Sequence, residues 1–82
     1  MRKIHFLSYI TKITGKKEIE IPSEIKNIRD LIQYLQSEFD KMDSEFIHEH
    51  MLIMGEKVLV LPRDLNFDIV DDIYISPIIA GG

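Results

Sequence analysis

Apolar and polar residues alternate from the start of the chain. Ile4, Phe6, Ser8 and Ile10 fall on one face of an extended segment, and Lys3, His5, Leu7 and Tyr9 on the other. That period of two predicts a first strand over 3–10. Thr14-Gly15-Lys16 reads as a turn. Residues 17–21 alternate again, with Ile19 and Ile21 inward and Glu18 and Glu20 outward, which completes a strand-turn-strand hairpin. Pro22 ends the second strand because it cannot donate to a ladder. The period then changes. Ile28, Leu31, Ile32, Leu35 and Phe39 recur at helical spacing and form one apolar stripe. Asn27 is placed to cap this helix, and Asp30 lies in the first turn, where the helix dipole favours negative charge.

The rest of the chain reads as shorter units. Residues 40–50 are polar and irregular, a connector with a short helical turn over 45–48. Residues 51–54 and 58–61 are apolar runs separated by Gly55-Glu56, a second strand-turn-strand element stopped by Pro62. Residues 64–67 form a loop with apolar anchors. Asp71-Asp72 is a turn, residues 73–76 form the last strand, and Pro77 ends its regular pairing, so that 78–82 projects as a tail. Neither a linker nor a repeat is visible. The order is β-β-α-β-β-β in one domain spanning 1–82. One helix must cover one sheet face, so its stripe and the inward strand residues make the core together. This order predicts an α+β, β-grasp (ubiquitin-like) fold: a mixed sheet of four to five strands with one main helix across it. In that arrangement the first and last strands lie side by side and parallel at the sheet centre, a position suited to their apolar content.

Composition narrows the chemistry. The 82 residues are 45% hydrophobic, enough for one small core. With no cysteine, the chain has no disulfide, thiol nucleophile or Cys-ligated zinc. The start of the chain lacks a secretory pattern, and no apolar run approaches the roughly 20 residues that span a bilayer. The expectation is a soluble, cytoplasmic protein without a membrane partner. The net charge is −4, with seven of the ten basic residues in the first thirty positions and ten of the fourteen acidic residues after them. An acidic chain without a dense basic patch argues against nucleic acid. The charge asymmetry reads as an ordinary solvated surface, or else as a two-signed surface that steers docking onto a protein.

The ending carries the most specific signal. Terminal Gly-Gly alone is weak, since chance produces it in roughly 0.5% of chains at ordinary glycine usage. Its setting strengthens it. The run Asp71-Asp72-Ile73-Tyr74-Ile75-Ser76-Pro77-Ile78-Ile79-Ala80-Gly81-Gly82 resembles the ending of the MoaD/ThiS group of β-grasp sulfur carriers, and within it the small subunit of molybdopterin synthase. Members close with an acidic turn, an alternating apolar strand, one or two prolines, an apolar pair and Ala-Gly-Gly. The resemblance is sharp over the last dozen residues and elsewhere rests on the order of elements. Asp71-Asp72 stands where the family usually has Gly-Asp, and Pro77-Ile78-Ile79 where it has Pro-Pro-Val. The thiamine branch more often has a further glycine in place of Ala80.

The resemblance implies a mechanism. An E1-like activating enzyme uses ATP to adenylate the carboxylate of Gly82. A sulfur nucleophile displaces AMP, and the resulting thiocarboxylate delivers sulfur inside a larger synthase subunit. The chain would bind no cofactor and would be a co-substrate or subunit rather than an enzyme by itself. Gly81 and Gly82 lack Cβ atoms, which suits a narrow channel, and Ala80 keeps the approach slim. Ile78 and Ile79 would either continue the last strand over the core or dock on the partner, and Pro77 would stiffen the exit. Two alternatives stand beside this. One is a sulfur carrier or modifier for another pathway, such as thiamine, tRNA thiolation, cysteine synthesis or lysine conjugation. The other is a non-catalytic β-grasp interaction domain, of the phage tail-assembly type.

Other residues give weaker signals. His48-Glu49-His50, with Glu45 near, could suggest a metal, but histidines two apart share a face only on a strand, and a polar loop is the plainer reading. No metal site is expected. His5 reads as a surface or edge residue rather than a base, because no nucleophile pairs with it. Met42, Met51 and Met54 read as gap-filling core. No phosphate loop or nucleophile-base pair is present.

Overall fold

The computed structural model describes residues 1–78. Its elements in chain order are β1 (Lys3–Phe6), α1 (Ile10–Thr14), β2 (Glu18–Glu20), α2 (Ile28–Glu38), α3 (Ser44–His50), β3 (Met51–Met54), β4 (Val58–Leu59) and β5 (Ile73–Pro77). The strands form one mixed sheet in the order β2-β1-β5-β3-β4. β1 and β5 pair in parallel, with Ile4 beside Ile73 and Phe6 beside Ile75. All other neighbours are antiparallel. The chain has the β-grasp fold, with β5 in the middle of the sheet.

The core follows from the two periodicities. Ile28, Leu31, Ile32 and Leu35 of α2 are buried and join Ile4, Phe6, Ile53, Ile73 and Ile75 in one cluster. Each such side chain contributes about 1.5–3 kcal/mol when taken from water, so the stripe outweighs the weak intrinsic preference of a short helix. Phe39 caps the end of α2, with its ring edge against Phe6. The start of α2 is fixed by Asn27, whose side chain accepts the Asp30 N–H at 2.9 Å.

Three local departures from the expected elements have clear causes. The first strand ends at Phe6 rather than at residue 10. Ser8 enters the left-handed region at φ 53, exposed to solvent, and α1 then begins. Ile10 is fully buried, as its alternation suggested, but it reaches the core from a helix. Gly15 ends α1 at φ 76, where a side chain would be strained. The second strand is also shorter, covering Glu18–Glu20, with Ile21 buried just beyond it. The connector over 40–50 contains a full helix, α3, capped by Asp43 through the Phe46 N–H at 2.9 Å. It needs only one buried residue, Ile47, which is why no stripe announces it. Among the described residues, no helix is long and apolar enough to cross a membrane.

Candidate functional site

The site is built at the C-terminal end of β5. Ile73, Ile75 and Pro77 point into the core while Tyr74 faces out, so the strand holds its alternation to its last residue. Pro77 does not stop the pairing, as the sequence suggested. It lies opposite Met51 in register, and the Ile78 N–H still donates to the His50 carbonyl at 3.0 Å. The reason is the direction of its missing donor. Backbone groups alternate along a strand, and Ile78 points its N–H at β3, so the nitrogen of Pro77 faces the β1 side. There β1 has already ended, after Leu7 gives its N–H to Ile75 at 2.8 Å. Pairing thus continues past the predicted stop at Pro77, through the Ile78 N–H.

The surroundings of that point are apolar. Ile78 is 41% exposed, and it lines a cleft of about 200 Å³ together with Leu52, Val58, Val60 and Leu61, with Ile47 and Met51 beneath. Val58 and Val60 are each about half exposed. Across the sheet end, Leu7 and Tyr9 are also exposed. Ile78 is therefore brought together with residues of β3, of β4 and of the segment after β4 that sequence reasoning did not single out. Their signal was present as apolar residues on the outward phase of short strands. Ile79, Ala80, Gly81 and Gly82 lie outside the described residues.

The other sequence candidates fall elsewhere. His48 and His50 sit on α3 rather than in a loop, two residues apart and on different faces. The Nδ1 of His48 lies 2.8 Å from the Ser44 carbonyl, and the His50 ring lies against Phe46. Among the described residues, no three His, Cys, Asp or Glu side chains converge as a metal would need. Met42 and Met51 are buried. His5 is not on an edge. It stands on an inner strand, with Nε2 at 2.9 Å from the Asp72 carboxylate and its ring stacked on Tyr74 at 4.6 Å. Sequence reasoning missed this contact. The available signal was the parallel pairing of the first and last strands, which sets His5 beside Tyr74 and near Asp72.

No family model matches the chain, and no curated protein does. Among solved structures, the chain is similar to the HVO 2177 protein of Haloferax volcanii, determined in solution. The TM-score is 0.67 at 21% identity, over 98% of this chain and 84% of that one. This likeness concerns the fold, and it agrees with a small β-grasp protein.

Proposed function

We propose that this protein is a sulfur carrier of the MoaD/ThiS type, and most closely the small subunit of a molybdopterin synthase acting in molybdenum or tungsten cofactor synthesis. The observation that carries the reading is the exit of β5. The central strand of a β-grasp sheet runs to Pro77, Ile78 beyond it is held by one main-chain bond, and Ile79-Ala80-Gly81-Gly82 follows in sequence. Exposed apolar side chains flank that exit and offer a partner a dry seat around it.

The chemistry resides in the carboxylate of Gly82. A carboxylate resists nucleophiles because its charge repels them and its leaving group is poor. An E1-like enzyme corrects both faults. The carboxylate oxygen attacks the α-phosphorus of ATP, pyrophosphate leaves, and an acyl adenylate forms whose acyl group no longer bears the charge. Hydrosulfide then attacks the carbonyl carbon, AMP leaves with the oxygen, and a thiocarboxylate remains after loss of a proton. The thiocarboxylate then delivers its sulfur inside the active site of the larger synthase subunit. The domain supplies placement: β5 is paired on both sides in the sheet, and Pro77 limits the freedom lost when the tail enters a channel.

The test is intact-mass measurement after incubation with an E1-like enzyme, ATP and sulfide. One oxygen exchanged for one sulfur, localised to the peptide that contains Gly82, is the expected result. Absence of the exchange with activating enzymes of the molybdopterin, thiamine and tRNA-thiolation types would sink the carrier reading. Capture through a Gly82 thioester separates the destinations, since a synthase subunit supports the molybdopterin branch and lysine-linked products support a modifier.

A further inference from the structure

A cluster on the outer face of the sheet, at the opposite end of β5 from the exit, joins three strands around His5. Asp72 just before β5 accepts from β1 twice: its Oδ1 takes the Lys3 backbone N–H at 3.0 Å, and its Oδ2 lies 2.9 Å from His5 Nε2. On the other side, Glu18 of β2 takes the Lys3 ammonium at 2.8 Å and leaves its Oε1 3.9 Å from His5 Nδ1. Tyr74 covers the ring, nearly parallel to it at 14°. Glu20 stands opposite Lys3 in register and adds to the negative side. These are the charged and titratable groups that face His5 from β1, β2 and the start of β5.

The roles of the two ring nitrogens follow from what their partners can do. An ionised carboxylate only accepts, so the nitrogen facing Asp72 must carry hydrogen. The other nitrogen faces Glu18 across a gap too long for a hydrogen bond. It is the free base of the ring. We propose that His5, Asp72 and Glu18 form a proton-operated clasp across β2, β1 and β5. Asp72 fixes neutral His5 as the Nε2–H tautomer, Nδ1 is the atom that takes up a proton, and uptake draws Oε1 of Glu18 onto His5 while Oε2 faces Lys3. The new N–H gives Glu18 a second charged donor, and the 3.9 Å gap closes by a side-chain rotation at an exposed position. The carboxyls of Asp72 and Glu18 are both held below the usual carboxylate range, Asp72 chiefly by its bond to His5 and Glu18 chiefly by its bond to Lys3. Both are therefore ionised and able to accept through the range in which an imidazole titrates.

The experiment is nitrogen-15 NMR of the imidazole in the full chain, with the carbon-13 shift of the Glu18 carboxyl followed from pH 8 to pH 5. At pH 8 the Nε2–H tautomer is expected, and the Glu18 carboxyl is expected to inflect together with the His5 ring as pH falls. In Asp72→Asn, the side-chain oxygen stays with the Lys3 N–H and the amide hydrogens face the ring. Nε2 then becomes the acceptor, and the tautomer is expected to switch to Nδ1–H. A predominant Nδ1–H form in the unaltered chain overturns the proposal. So does a Glu18 carboxyl that ignores the titration of His5. Both readouts come from the unaltered protein, so the clasp remains open to refutation even where Asp72→Asn fails to fold.

Discussion

Asp64 shows how one carboxylate can hold a turn. Its Oδ2 accepts the Val60 N–H at 2.7 Å, and Arg63 binds both oxygens at 3.3 and 2.9 Å. Its carboxyl lies below the usual range, first because of the Arg63 hydrogen bond and then because of the Val60 N–H. A lowered value in the folded state means the ionised form favours folding. That contribution is fully present above the unfolded value of about 4 and is lost as pH falls through the lower folded value. The stability gap between the unaltered chain and Asp64→Asn should be flat near neutrality and should shrink below about pH 4. Urea unfolding at several pH values measures it, and a gap that persists unchanged to pH 3 would contradict the assignment. Gly15 is a second residue whose role is local. A Cβ there meets nothing within 4 Å, so Gly15→Ala pays only for φ 76. The expected loss is about 1 kcal/mol by denaturant titration. A loss several times larger would mean that packing, not backbone conformation, selects this glycine.

The elements show what sequence could and could not disclose. α2 was readable in full because its stripe repeats four times and Asn27 stands at its head. Asn27→Ala should cost about 1 kcal/mol by losing one capping bond. Leu35→Ala should cost about 2–5 kcal/mol, because its side chain is fully buried within the core cluster. Both follow from thermal or urea unfolding, and the order of the two losses is the sharper check. If the cap mattered more than Leu35, the helix would owe its stability to local bonds rather than to packing. α1 was not readable, and α3 only as a short turn over 45–48, for a common reason: each buries a single residue, Ile10 or Ile47, and one residue has no period. Ile10 is also compatible with a period of two from Ile4, so the strand reading ran on through Ser8. What stopped the strand is backbone geometry at Ser8, which no pattern of polarity records. At the exit, Pro77 was legible as a boundary, but its place inside β5 depends on which neighbouring strand has ended. That is a property of the sheet rather than of the residue. The His5–Asp72 contact was illegible for the same reason, since the two residues are 67 positions apart in sequence and meet only through the parallel pair.

At the scale of the whole molecule, folding and the proposed chemistry are separable. Among the described residues, the buried apolar core runs from Ile4 to Ile75, and the main-chain ladder ends with the Ile78 N–H on His50. A chain shortened after Ile78 keeps every one of those contacts. It should unfold within about 0.5 kcal/mol of the full chain, the range expected for changes outside the core. The same truncation removes the carboxylate of Gly82 and the Ile-Ala-Gly-Gly approach, so it should abolish sulfur loading completely. Paired urea unfolding and intact-mass assays decide the matter, and the combination of results is informative. Stable and unloaded is the expected pair. Stable and still loaded would move the chemistry off Gly82 and with it refute the carrier reading. Unstable would mean that residues 79–82 help hold the sheet, so the first reading of Ile79, as strand continuation over the core, would be the correct one. A Gly82→Ala chain tests the terminal residue itself, because it keeps the length and the carboxylate and adds only a Cβ. It should fold as the full chain does and lose loading in proportion to how tightly the activating enzyme encloses the terminal residue.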